Sequence, residues 1–105
     1  MKWITKILDI EPYRVTCQWN NDEIRTVELE KFIQEKSKNP NNSYAQLNDK
    51  TRFCEAQCDG STLYWEDGII MTDYDGTKKT GPLDIDPDFL YELSFAVSDK
   101  LKTNF

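Results

Sequence analysis

The chain has 105 residues, 38% of them hydrophobic and 30% charged, with a formal net charge of −6; that is enough for one domain with a modest core. No run of about 18 apolar residues occurs, so no transmembrane helix is expected. The opening from Met1 to Lys6 lacks the apolar stretch of a signal peptide, so a cytoplasmic protein is expected. Residues 1–52 carry nine basic and eight acidic side chains, residues 53–105 four and eleven; a half at −7 repels phosphate and argues against direct nucleic-acid binding.

Trp3 to Ile10 is β-rich and apolar at most positions and predicts a first strand, broken at Glu11-Pro12. Tyr13, Val15, Cys17 and Trp19 alternate with Arg14, Thr16 and Gln18, the period of a strand with one dry face. Asn20-Asn21-Asp22 tolerates positive φ and predicts a hairpin turn into a return strand over Glu23–Leu29. Glu30–Lys36 predicts a short helix that points Leu29, Phe32 and Ile33 inward, and Ser37–Asn42 reads as a loop. Its Asn41-Asn42-Ser43 sequon carries no meaning without secretion. Tyr44, Ala45 and Leu47 anchor the chain again, and Asn48 or Asp49 caps one helical turn through Phe53.

A second hairpin is predicted from Cys54–Cys58, with Cys54, Ala56 and Cys58 on the apolar face, through an Asp59-Gly60 turn to Thr62–Trp65. Glu66-Asp67-Gly68 reads as another turn and Ile69–Thr72 as a short strand. Asp73–Pro82 is polar with two glycines and reads as a loop or a projecting hairpin tip. At the end, Asp86 is an N-cap, Pro87 takes the first helical position, and Asp88 suits the first turn. Phe89, Leu90, Leu93, Ala96 and Val97 then fall on one helical face, with Lys100 and Lys102 near the negative end. Leu90 and Leu93 are expected in the core. The fold class expected is α+β in two layers: an antiparallel sheet of five or six short strands covered by a C-terminal helix and a shorter one, all within one domain over 1–105.

Three cysteines, Cys17, Cys54 and Cys58, and no histidine leave little chemistry. The count is odd, the spacing of Cys54 and Cys58 misses the usual zinc half-site, and no imidazole is present to act as base near neutral pH. The cysteines are expected to be reduced and bound to no metal, Cys54 and Cys58 buried by the alternation. Asp73-x-Asp75-Gly76 matches only a fragment of a calcium loop, with Asp84 where a glutamate belongs and in the wrong register. Glu66 and Asp67 beside Trp65 resemble an acid–base pair against an aromatic wall, but neighbours on a turn diverge. No catalytic set, cofactor site or metal site is expected. The aromatics mostly fill the core, Trp65 among them. Tyr64 lies on the opposite face of the same strand, so an exposed tyrosine beside acids becomes a binding anchor. The candidate partner-binding residues are Tyr64, Asp73, Asp75 and Asp84.

Several strings occur together in one order: Tyr13-Arg14-Val15, Asn20 to Arg25, Leu63 to Gly68, and Leu83 through Asp86-Pro87-Asp88 to Glu92. In this it resembles the small bacterial domain-of-unknown-function 2442 family over about residues 3–94, with 95–105 as the helix end and tail. Two features depart from the pattern: Asp22 stands where the family commonly has the glycine of an Asn-Gly turn, and Ile69–Pro82 is inserted before the final helix. The resemblance implies a compact two-layer α+β domain without an established catalytic site. Some members resemble parts of toxin–antitoxin-like pairs. Others carry a C-terminal helix-turn-helix domain, which is not expected here.

Together these readings predict a noncatalytic cytoplasmic interaction module that binds a basic protein partner, antitoxin-like in its sharpest form. A DNA-associated regulatory domain acting through a partner is the alternative, and a small hydrolase ranks third. Self-association stays open.

Overall fold

The computed structural model describes residues 1–97. Their elements are β1 (Ile4–Glu11), β2 (Arg14–Trp19), β3 (Ile24–Glu28), α1 (Glu30–Ser37), a 3-10 helix (Ser43–Asn48), α2 (Lys50–Phe53), β4 (Gln57–Cys58), β5 (Leu63–Thr72), β6 (Lys78–Asp84), α3 (Pro87–Glu92) and β7 (Ser94–Ala96). The protein is α+β, but its strands form two antiparallel sheets, β1-β2-β3-β7 and β4-β5-β6, where the sequence predicted one.

The first sheet follows the predicted alternation. Val15, Cys17 and Trp19 are buried along β2, and β2 pairs with both β1 and β3. Tyr13 (φ 68°) follows Pro12 in the first turn, and Asp22 (φ 66°) holds the left-handed position of the second, a geometry that Asp adopts at lower strain than most residues. Beyond this sheet, Asp49 Oδ1 accepts from the Thr51 and Arg52 amides at 2.9 and 3.3 Å and starts α2.

The core joins the two sheets to the helices. Ile4, Val27, Leu29, Ile33, Leu47, Phe53, Leu63, Trp65 and Leu90 are all buried. Phe53 sits between the Tyr13 and Trp65 rings at 5.7 and 5.9 Å. The Trp65 indole donates to the Phe53 carbonyl at 3.0 Å. Trp19 packs edge-on against Tyr91 at 5.1 Å, and its indole N–H is the buried side-chain polar atom without a partner among the described residues.

Three expectations are corrected. Helix α3 begins as predicted, with Asp86 accepting from the Asp88 amide at 3.1 Å, but it stops at Glu92. Ser94–Ala96 turns back as β7 and pairs with β3, Val27 opposite Ser94 and Arg25 opposite Ala96. The open edge of β3 supplies the reason: its outward amides and carbonyls need partners, and Arg25 draws the chain in by donating to Ser94 Oγ at 2.6 Å and to the Ser94 carbonyl at 2.9 Å. Ala96 is therefore a strand residue and Leu93 a half-buried helix end; Lys100 and Lys102 lie outside the described residues.

Second, Glu66-Asp67-Gly68 is no turn. Asp67 does adopt positive φ (55°), but the chain runs on as β5, with a bulge between the Trp65–Leu83 and Ile69–Gly81 pairs. A Cβ on Gly68 would come within 2.4 Å of Leu83 Cβ, so this position needs glycine for close approach. Third, the strand predicted over Cys54–Cys58 shrinks to Gln57–Cys58, because Cys54 closes α2 and stands exposed. Cys58 is half-buried, and burial pushes the Cys17 thiol up to about 12.

Candidate functional site

The segment 69–82 is a hairpin. β5 and β6 pair from Tyr64–Asp84 to Thr72–Lys78, and the chain reverses through Tyr74-Asp75-Gly76. The Asp73 amide donates to the Thr77 carbonyl at 2.9 Å, and Gly76 (φ 83°) supplies the left-handed residue. Asp75 accepts from the Thr77 amide at 2.9 Å; hydrogen bonding from the Thr77 side chain, and then from that amide, holds its carboxyl below the usual range. Asp73 pairs with Lys79 at 3.0 Å. Burial ends along this arm: Leu63 and Trp65 are buried, whereas every residue from Ile70 to Thr80 is exposed.

The four predicted residues fall in two places. Tyr64 and Asp84 are cross-strand neighbours at the base of the arm. The Tyr64 hydroxyl donates to Gln57 Oε1 at 3.0 Å, and the ring is half-buried. Tyr44 donates to the Asp84 carbonyl at 2.6 Å, and its own pKa is raised by burial and then by the Asp84 charge. Asp73 and Asp75 sit at the tip, about 30 Å further along the strand at ~3.3 Å per residue.

Glu66 and Asp67, read from sequence as a diverging turn, line two concavities instead. With Tyr64, Thr80, Gly81 and Pro82 they border a depression of about 290 Å³. With Gln46, Arg52, Glu55 and Gln57 they border an open polar groove of about 660 Å³. Arg52 is the cation of this groove, and it is occupied: it donates to Gln46 Oε1 (3.0 Å), Glu55 Oε1 (2.9 Å) and the Glu66 carbonyl (2.6 Å). The Gln46 amide donates to the Gly68 carbonyl at 2.8 Å, and Thr80 donates to Asp67 at 2.5 Å. The groove thus keeps an excess of carboxylate and suits a cationic group. Among the described residues no group of three or more Cys, Asp or Glu is placed to hold a metal ion, and no helix is long and apolar enough to cross a membrane.

A second polar cluster escaped the sequence reading. Glu23 accepts from the Tyr91 hydroxyl at 2.6 Å, from Arg25 at 2.9 Å and from Asn21. The Tyr91 hydrogen bond, then that of Arg25, lowers its carboxyl to about 2, and the same bond raises the Tyr91 phenol. Arg25 also stacks 4.3 Å from the centre of the Tyr91 ring. The cluster ties the β2–β3 turn to α3 and β7, and no spacing rule connects positions 68 residues apart.

No family model, no curated protein and no solved structure matches this chain.

Proposed function

We propose that the chain is a noncatalytic protein-interaction module of the cytoplasm that engages a basic partner through the β5–β6 arm. One observation carries the reading: an arm whose outer part, beyond Gly68, adds little to the core displays Ile70, Met71 and Tyr74, 72%, 45% and fully exposed, among Glu66, Asp67, Asp73, Asp75 and Asp84. Apolar side chains left in water on a projecting hairpin gain free energy when another surface covers them. The surrounding acids speed the encounter with a cationic partner more than they tighten the final complex. The resemblance in sequence motifs supports an antitoxin-like form of this module, and that part rests on analogy.

The test starts with the partner recovered from the native host, purified, and remixed with the chain. Asp75→Lys with Asp84→Lys should lower the association rate by about tenfold at low salt and flatten its salt dependence. A rate indifferent to both the reversals and the salt would return the acids to ordinary solvated surface.

A further inference from the structure

The two long edges of the arm are unlike. Along β5 the inner edge is laddered to β6 from Ile69–Gly81 to Thr72–Lys78. Its outer edge is covered only at the base: β4 pairs with Leu63 and Tyr64, Arg52 reaches the Glu66 carbonyl, and Gln46 reaches the Gly68 carbonyl. Beyond Gly68 no described strand lies on that side. The Asp73 amide points inward, to Thr77, and the Gly68 carbonyl points outward. Alternation therefore turns the backbone groups of Ile70 and Thr72 outward. On β6 the same alternation turns Lys78, Thr80 and Pro82 outward. Pro82 has no N–H to offer and Lys78 brings a charge, two devices that discourage strand addition. β6 is blunted and β5 is open.

Resting on the basic-partner reading above, we infer that the β5 edge from Ile70 to Thr72 takes up an extended segment of that partner as an added strand, apolar at its centre and carrying Lys or Arg at both ends. The centre of such a segment lies against the uncharged run Gly68–Thr72. Its ends meet Glu66 and Asp67 on one side and Asp73 and Asp75 on the other, acids about 20 Å apart. Main-chain pairing supplies the affinity and the alternate side chains supply the selection. A two-stranded arm is marginal in water, and a third strand gives it the width that independent sheets need. A second copy of this chain fits less well: an antiparallel pair centred on Ile70 sets Asp67 against Asp73 of the other copy at both ends. It also brings together two arms that each hold five acids against Lys78 and Lys79.

The probe is a synthetic peptide of about ten residues, alternating valine and threonine at its centre with two lysines at each end, titrated into the full-length chain. Backbone amides are followed singly by NMR and hydrogen exchange. Bound peptide should slow exchange at Ile70 and Thr72 by about tenfold or more, with little change along β6. N-methylation of alternate peptide amides, and separately Ile70→Pro, should each weaken binding at least about tenfold. Because the peptide modification leaves the chain untouched, the test survives any misfolding of the variant. If the N-methylated peptide binds as well as the parent and the Ile70 and Thr72 amides do not respond, strand addition is overturned while the basic-partner reading stands. Failure of the parent peptide to bind at millimolar concentration also overturns it, and the partner kinetics above then judge the broader reading separately. Slow exchange at Ile70 and Thr72 without peptide, together with a concentration-dependent dimer mass, would give the edge to a second copy and overturn the occupant proposed here.

Discussion

Val15, Cys17 and Trp19 on β2 and Ile70 and Met71 on β5 are apolar strand residues, yet the first three are buried and the last two stand 72% and 45% exposed. The body of the protein lays its strands against helices and a second sheet, so each dry face finds cover. The arm leaves that cover after the Gly68 bulge and carries its apolar residues into water. The comparison separates two settings of the same local structure: in the body burial holds the fold together, whereas in the arm Ile70 and Met71 stay largely in water and add little to the core.

The sharpest contrast comes from deleting core. Leu90 is fully buried at the middle of α3, so Leu90→Ala should cost about 2–5 kcal/mol. Leu93 sits half-buried at the helix end beside Glu28, Lys31 and Phe32, and Leu93→Ala should cost clearly less, about 1 kcal/mol. Denaturant titrations of the two variants check the order; equal losses would mean that α3 continues past Glu92 as its periodicity implied.

Two tryptophans refine the comparison within the body. Trp65→Phe removes a buried indole and its hydrogen bond to the Phe53 carbonyl, which keeps the Ala56 amide at 3.2 Å, whereas Trp19→Phe removes a donor that has no acceptor among the described residues. The first should be the more destabilising by about 1 kcal/mol, the worth of one hydrogen bond. Matched thermal melts decide it.

Acid gives a smaller effect with a defined sign. Glu23 is held at about 2 by the Tyr91 and Arg25 hydrogen bonds, well below the roughly 4.3 of a free glutamate. A lowered folded pKa stabilises the protein above the unfolded value, and the contribution fades as pH falls from there towards the folded value. The melting temperature of the parent should therefore fall more steeply between about pH 5 and 2 than that of Glu23→Gln. Parallel curves would remove the cluster from the account.

Much of the body was readable because its signals are local. The alternation over Tyr13–Trp19, the Asp49 and Asp86 caps and the positive-φ Asp22 each operate within a few residues. Glu66-Asp67-Gly68 shows where locality ends. Its turn signature is real, since Asp67 does adopt positive φ, but whether the chain reverses or bulges is decided by Leu83 packing on Gly68. The same holds for Ser94–Ala96, whose helical pattern yields to Arg25 and the open edge of β3. Of the candidate site, Tyr64 and Asp84 are together because strands pair. The distance of Asp73 and Asp75 follows from a β5 that runs unbroken where two strands were expected. The Arg52 groove and the Glu23 cluster depend on contacts across the fold and left no mark in spacing.

The proposed reading requires an outer arm that contributes little to folding. It is tested most directly by replacing Thr72–Lys78 with an Asn-Gly dipeptide that closes the hairpin between Met71 and Lys79, and by measuring the thermal midpoint. The account predicts a shift of no more than about 2–4 °C, the equivalent of ~0.5 kcal/mol in a domain of this size. A fall of about 10 °C or more would show that the tip supports the core, and would contradict the division between body and arm on which the functional reading stands.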